Sequence, residues 1–397
     1  CKYRSSMNNP DFIDHNKIIL LNNGSQYFPA LVSAIEQAKY EIHLQTYIFK
    51  YDATGIIISE ALTRAAKRGV AVHLLMDGFG SLDFPNKIIE KLITEGVQVL
   101  IYRKELLNFK FLKHRLRRMH RKVVVIDAQI AFIGGINIID DHDPRASQPL
   151  PRFDHAVRIE GPLLANIYPV VKRLWMLVAW VHFKKRWIKK LPELKPQLKS
   201  SGTQRAALVI RDNIRHRRDI EHAYLKAIAT AEEEIIIANA YFLPGRNFRK
   251  ALIHAARRGV RVILLLQGKI EYRIQHYASR ALYGNLLGAG IKIYEYHKSY
   301  LHTKVAVIDN YWSTVGSSNI DPFSLLLARE ANIIVIDHAF SSELRANLQQ
   351  ALHESNPVSA RYWKKRAWLD RLRNWISYYT LRFLQGTLGY GQKSTRI

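Results

Sequence analysis

Apolar positions along the chain recur at two spacings. Tyr27, Leu31, Ala34, Ile35 and Ala38 follow a helical period and predict a helix over 27–40. Residues 17–21, 41–49, 70–76 and 97–102 read as strands. Between them, 55–68 and 85–95 read as helices, stopped by Gly69 and Gly96. Alternation of this kind predicts an α/β fold, a mixed or parallel sheet flanked by helices.

The pattern occurs twice. Ala65-Ala66-Lys67-Arg68-Gly69-Val70 returns as Ala255-Ala256-Arg257-Arg258-Gly259-Val260, 190 residues later. Glu41-Ile42 returns as Glu234-Ile235, and His120 as His302. Internal duplication on this scale predicts two like domains related by a pseudo-twofold axis, with one shared active site.

The longest repeated stretch carries the chemistry. His120-x-Lys122-x4-Asp127 closes with Gly134-Gly135-Ile136-Asn137, and His302-x-Lys304-x4-Asp309 closes with Gly316-Ser317-Ser318-Asn319. Four apolar residues precede each Asp, as in a buried strand. Side chains two apart share a strand face, so each His and Lys point the same way. A two-residue turn at Ala128-Gln129 would set Asn137 opposite His120; one at Asn310-Tyr311 would set Asn319 opposite His302 and Ser317 opposite Lys304. Imidazole, ammonium and amide on one face suit a phosphodiester. Lys122, Lys304, Asn137, Asn319 and Ser317 would hold its oxygens, while one histidine attacks phosphorus and the other protonates the leaving oxygen. Asp127 and Asp309 leave that face and are expected to be structural, holding the turns. Asp154 and Glu330, each starting a strand, are expected to orient the histidine of their own half, as the third member of a triad does. A metal could be held by a His/Asp cluster, but this spacing favours phosphate contact.

The motif is that of the phospholipase D superfamily. The wider chain resembles the bacterial cardiolipin synthases of the shorter kind, without N-terminal transmembrane helices. The resemblance rests on Leu20–Ala34, Asp77-Gly78-Phe79-Gly80-Ser81, 118–137 and Ala240-Tyr241-Phe242-Leu243-Pro244, and covers about residues 15 to 355. It implies a phosphatidyltransferase that makes cardiolipin from phosphatidylglycerol through a phosphatidyl-histidine, with His120 as nucleophile, Asp154 and Glu330 in catalytic roles, and no cofactor or metal. It also implies peripheral attachment to the bacterial inner membrane. Two departures stand out: Gly135 lacks the hydroxyl of Ser317, and Gln45 stands where relatives often carry an acid.

Charge sharpens the choice of partner. Sixty Lys+Arg against 33 Asp+Glu give a net charge of +27, which calls for an anionic partner, nucleic acid or an anionic membrane. The single cysteine, Cys1, excludes internal disulfides and cysteine-based zinc sites. No apolar run reaches the roughly 18 residues of a membrane span. Six of seven tryptophans lie in two basic segments: Trp175, Trp180 and Trp187 within 167–191, and Trp363, Trp368 and Trp375 within 359–385. Aromatics set among Lys and Arg favour a membrane interface; base stacking would place them at the site, so no nucleic acid is expected. The chain is thus expected to divide into a first domain (1–161), a basic membrane-interacting segment (162–205), a second domain (206–356) and a basic aromatic tail (357–397). A segment over 103–118, with Phe109, Phe111 and many basic residues, is expected to line the entrance to the site. A phospholipid hydrolase and a nuclease use the same motif; an inactive scaffold is disfavoured by two intact copies.

Overall fold

The first hundred residues form β1 (Ile13–Asn22), α1 (Asn23–Gln37), β2 (Glu41–Thr46), α2 (Ala53–Lys67), β3 (Ala71–Asp77), α3 (Asn86–Thr94) and β4 (Gln98–Tyr102). Their boundaries follow local chemistry: the Asp52 carboxylate caps α2 by accepting from Gly55 N–H at 3.0 Å. The motif strand β5 (Lys122–Ile126), β6 (Ile130–Gly134) and β7 (His155–Glu160) complete the first sheet, followed by α4 (Leu164–Val181) and the short α5 (Lys185–Lys189). This computed structural model describes residues 10–103, 118–141, 150–189, 193–212, 216–321 and 328–388. The expected entrance segment lies outside them except for its ends, Arg103 and Arg118.

The second half repeats the scheme. It runs β8 (Gln204–Arg211), α6 (Asp219–Thr230), β9 (Glu234–Asn239), α7 (Arg246–Arg257), β10 (Arg261–Gln267), α8 (Arg273–Ala281), α9 (Tyr283–Gly288), β11 (Lys292–Tyr296), β12 (Lys304–Ile308), β13 (Trp312–Gly316), β14 (Glu330–Ile336) and α10 (His338–His353). β15 (Ser355–Pro357), α11 (Ala360–Lys364) and α12 (Trp368–Leu388) follow.

The strand order is β15-β11-β10-β9-β12-β13-β14-β8-β1-β7-β6-β5-β2-β3-β4, so the halves mirror one another about the antiparallel β8–β1 junction. β2, β3 and β4 are parallel, as are β9, β10 and β11; the motif strands join antiparallel to β2 and β9. Val123, Val125 and Val157 share one core with Val305, Val307 and Ile333 of the other half. Helices cover the outer faces: Leu31, Ile35, Ile58 and Leu62 pack on the first sheet, Tyr224, Ile228 and Leu252 on the second.

The motif hairpins turn differently from expectation. Ile126 pairs with Ile130 and Ile308 with Trp312, so each connection has three residues and the register moves by one. The added residue is accommodated by left-handed backbone at Asp127, Ala128, Asp309 and Asn310, where φ is 49° to 53°. The aspartates hold that geometry. Asp127 accepts the N–H groups of Lys39, Tyr40 and Glu41 at 2.8 Å, and Asp309 those of Glu232, Glu233 and Glu234 at 2.9 Å.

The middle segment and the tail differ from each other. α4 follows β7 as α10 follows β14, so it belongs to the repeat rather than interrupting it. Ile167, Tyr168, Val171 and Trp175 are buried, Trp175 completely. Of the described helices, α4 alone is long and apolar enough to cross a membrane, yet eight of its residues face the core. Trp175 is therefore a core residue, and the interfacial reading of this segment is confined to Leu177, Trp180, Val181 and Phe183, which are exposed. α12 packs Tyr378 and Leu381 into the second core. Its outer face carries Trp368, Leu369, Leu372, Trp375, Ile376, Tyr379 and Phe383, all exposed and at helical spacing.

Candidate active site

Each motif begins with a backbone contact between halves. His120 and Arg121 N–H donate to Arg329 C=O at 3.0 and 2.9 Å, and His302 and Thr303 N–H donate to Phe153 C=O at 2.9 and 3.0 Å. The next residues are the acids, so each is delivered to the opposite histidine. His120 Nδ1 lies 2.9 Å from Glu330 Oε1, and His302 Nδ1 lies 2.6 Å from Asp154 Oδ2. The expectation that each acid serves its own half is corrected: the pairs are crossed. Sequence spacing located both acids but carried no information on pairing between halves.

With Nδ1–H given to a carboxylate, each ring presents Nε2 as a lone pair. Burial lowers the pKa of His120 and pushes His302 down to about 3, so both imidazoles are neutral near pH 7. Asp154 is held down at about 2: burial alone would raise it, but His302 and Lys304 outweigh that penalty. The Tyr47 ring packs edge-on to His120, 4.8 Å between centroids.

The lysines stand behind the histidines. Lys122 Nζ donates to His120 C=O at 2.7 Å, and Lys304 Nζ donates to His302 C=O. Burial, reinforced by the other lysine, lowers Lys122 to about 7; burial lowers Lys304 to about 8. Two desolvated lysines form a site in which a bound anion favours the charged ammonium of each. One of the three N–H donors of each is committed to backbone.

Both histidines and both asparagines line one cavity of about 610 Å³. Asn137 reaches it although the register differs from expectation, because the chain leaves the β6 ladder after Gly134 and Ile138 bridges to Phe49. Ile48 N–H occupies Asn137 Oδ1 at 3.2 Å, which turns the amide N–H₂ toward other partners. Ser317 does not serve as expected. It is fully buried, and its hydroxyl donates to Glu330 Oε2 at 2.5 Å, so it holds the acid rather than the cavity.

The same contact explains the missing hydroxyl at Gly135. A Cβ there would lie 2.2 Å from Asp154 Oδ1. The shorter Asp sits where the second half, with its longer Glu, fits a serine.

Other residues at the site were given no role from the sequence. Arg152 of the first half faces Glu271 of the second at 3.4 Å across the cavity, and Tyr241 donates its hydroxyl to Glu271. Asp77 is fully buried and accepts Met119 N–H at 2.8 Å, fixing the residue before His120. Only the Asp77-Gly78 and Ala240–Pro244 matches hinted at this wall. Gln45 takes two N–H groups of Arg121 at 2.9 and 2.5 Å and donates to Val171 C=O, so an amide supports the buried guanidinium.

Known proteins similar to this chain give its family. The sequence model described as cardiolipin synthase, PLD-like domain, matches residues 31–142 and 224–352. Cardiolipin synthase B of Escherichia coli K12 is 40% identical over 377 residues, which are 94% of this chain and 90% of that one. A cardiolipin synthase of Halalkalibacterium halodurans is 30% identical over 370 residues, 92% of this chain and 71% of that protein. Among solved structures, phosphatidylserine synthase of Haemophilus influenzae superposes with a TM-score of 0.70 at 12% identity, covering 96% of this chain and 95% of its own. Polyphosphate kinase of Porphyromonas gingivalis gives 0.54 at 14% identity, covering 94% and 56%. These two share the fold. Two motif copies at one cavity, and close relatives along nearly the whole chain, identify it as a member of the cardiolipin synthase family of phospholipase D-like enzymes, of the phosphatidyltransferase type.

Proposed function

We propose that this enzyme makes cardiolipin from two molecules of phosphatidylglycerol by a double displacement at the shared cavity. His120 Nε2 attacks phosphorus and the bond to the glycerol oxygen breaks. His302 donates the proton that leaves with glycerol. The hydroxyl of a second phosphatidylglycerol then attacks the phosphatidyl-histidine, His302 takes its proton, and His120 is released. The observation that carries this reading is the pair of crossed carboxylate–histidine contacts, which leaves two Nε2 atoms for one substrate.

The remaining roles follow from position. Lys122 and Lys304 supply positive charge, and Asn137 and Asn319 supply amide donors, for the non-bridging oxygens. The bound phosphodiester anion offsets the desolvation that depresses His302, so the ring takes up a proton from solvent as substrate binds. Asp154 and Glu330 hold the rings and stabilise imidazolium. No metal or cofactor takes part in these steps.

The membrane supplies the substrate. α12 packs on α8, whose Gln275 lines the cavity, and its exposed apolar stripe lies on the face turned away from the second core. Phe79 and Leu82 expose further apolar surface on the first half, with Phe79 itself at the cavity. This arrangement supports peripheral attachment to an anionic membrane, as on the inner membrane of a bacterium, and not nucleic-acid binding.

Liposomes of labelled phosphatidylglycerol test the proposal. Labelled cardiolipin and free glycerol should form together. Phosphatidic acid as the main product would make the enzyme a hydrolase. Protein quenched in alkaline denaturant, which preserves a P–N bond, should carry the phosphatidyl adduct on the peptide containing His120; an adduct on His302 would reverse the two roles.

A further inference from the structure

A second polar cluster lies in the first half, away from the cavity. Glu41 and His43 are two apart on β2 and share a face. His73 pairs directly with His43 across the β2–β3 ladder. All three are 1% exposed. Glu41 Oε1 lies 3.2 Å from His43 Nε2 and 3.4 Å from His73 Nε2. None of these three atoms makes a well-aligned hydrogen bond among the described residues.

The duplicate half shows what the fold alone requires there. Ile236 and Ile263 occupy the places of His43 and His73, paired across β9 and β10 in the same way. Glu234, the counterpart of Glu41, is answered by Arg345 at 2.5 Å and by Arg261. In the first half, two imidazoles stand where isoleucines suffice, and both are aimed at one carboxylate oxygen.

The spacing is that of a coordination shell. Zinc bonds of 2.0–2.1 Å to N and O at tetrahedral angles put neighbouring ligand atoms about 3.3 Å apart. The two observed edges, 3.2 and 3.4 Å, bracket that distance. Outer partners hold Glu41 and His73, while His43 Nδ1 makes no hydrogen bond among the described residues. Tyr168 donates its hydroxyl to the other Glu41 oxygen at 2.6 Å, which leaves Oε1 to act alone. His73 Nδ1 lies 3.1 Å from Gln98 Oε1, which fixes the proton there and turns the Nε2 lone pair inward.

We propose that Glu41, His43 and His73 bind one zinc ion, at a structural site separate from the catalytic cavity. Two imidazoles and a carboxylate select zinc over magnesium or calcium, and a small ligand such as water completes the shell. Trp175 packs against the pair, tilted to the His73 ring with centroids 4.9 Å apart and edge-on to His43. The ion ties β2 to β3 and, through Tyr168, to α4. The cluster sits at the Ile126 end of β5, remote from Lys122, since Ile42 pairs with Ile126 and Gln45 with Val123.

The full chain, purified in detergent, stripped with chelator and then supplied with zinc and desalted, tests this by elemental analysis and thermal melting. Wild type should retain about one zinc per chain and melt higher with it, while Glu41→Gln and His43→Ile/His73→Ile should each lose at least about tenfold in zinc affinity. The double variant carries the residues of the second half, and Glu41→Gln preserves shape, so a folding failure in one leaves the other informative. Transferase activity of the variants, measured below their melting temperatures, should match wild type, which separates this site from the catalytic proposal. Wild type that takes up no zinc, or either folded variant that takes up as much as wild type, would overturn it.

Discussion

Asp154 of the first half accepts the Nδ1 proton of His302 of the second at 2.6 Å, and each is buried. Neither half therefore holds a complete His–acid pair. A carboxylate here fixes the ring and offsets the charge that imidazolium develops. Asp154→Asn keeps the shape but removes the charge. Turnover on phosphatidylglycerol should fall by at least about a hundredfold, with the melting temperature nearly unchanged. A variant within a few-fold of wild type would mean that the crossed acid is not used.

Gly135 and Asp154 form a matched set, as do Ser317 and Glu330. Because a Cβ at 135 would meet Asp154 Oδ1 at 2.2 Å, Gly135→Ser must displace the carboxylate from His302. A misplacement near 1 Å at a catalytic group costs about a hundredfold, and that loss is expected in initial rates. Adding Asp154→Glu copies the second half's pair and should recover a large part of the activity. If the double variant is as impaired as the single one, the sets are not interchangeable.

Much of this was legible because the informative patterns are local. His120 and Lys122 share a strand face by arithmetic alone, and the apolar run to Asp127 could hardly be anything but a buried strand. Duplication made the shared site inferable. The turn was misread because left-handed backbone at Asp127 and Ala128 has no glycine to announce it; the carboxylate of Asp127 stabilises it instead, through N–H groups far away in sequence. Crossing of the acids was hidden for a similar reason: His120 and Glu330 are 210 residues apart, and periodicity says nothing about which half they join. Trp175 and Trp180 look alike in a basic, aromatic stretch, and only packing against β3 and β4 side chains such as Leu75 and Leu100 tells the core residue from the exposed one.

Acid should destabilise the fold in a defined window. His155 is buried, its Nδ1 lies 2.8 Å from Thr303 Oγ1, and burial pushes it down to about 4. The unfolded chain titrates near 6.5, so between the two values the unfolded state alone binds the proton. This contribution is fully present above about pH 6.5 and is lost as pH falls toward 4, amounting to about 3 kcal/mol at most. His155→Leu should flatten the fall in urea midpoint between pH 7 and 4.5 by close to one proton's slope. An unchanged slope would assign the acid sensitivity to other buried imidazoles.

The tail helix joins two roles on opposite faces, and they must be separated to be tested. Tyr378 and Leu381 lie in the second core and Trp363 packs on Tyr283 at 5.0 Å, so deleting residues 359–397 would open that core as well as remove any anchor. Trp368, Leu372 and Ile376 are 69%, 46% and 56% exposed and face away from it. Replacing all three with Ser should leave the melting temperature within a few degrees. It should weaken binding to anionic vesicles by at least about tenfold, since each buried apolar side chain contributes on the order of 1–2 kcal/mol at a lipid boundary. The basic residues remain, so residual binding should be more salt-sensitive than that of wild type. Hydrolysis or transfer on a short-chain soluble phosphodiester should be unaffected, because neither histidine is touched. Vesicle binding equal to wild type would remove α12 from the membrane surface and leave the exposed ends of α4 and α8 as the contact.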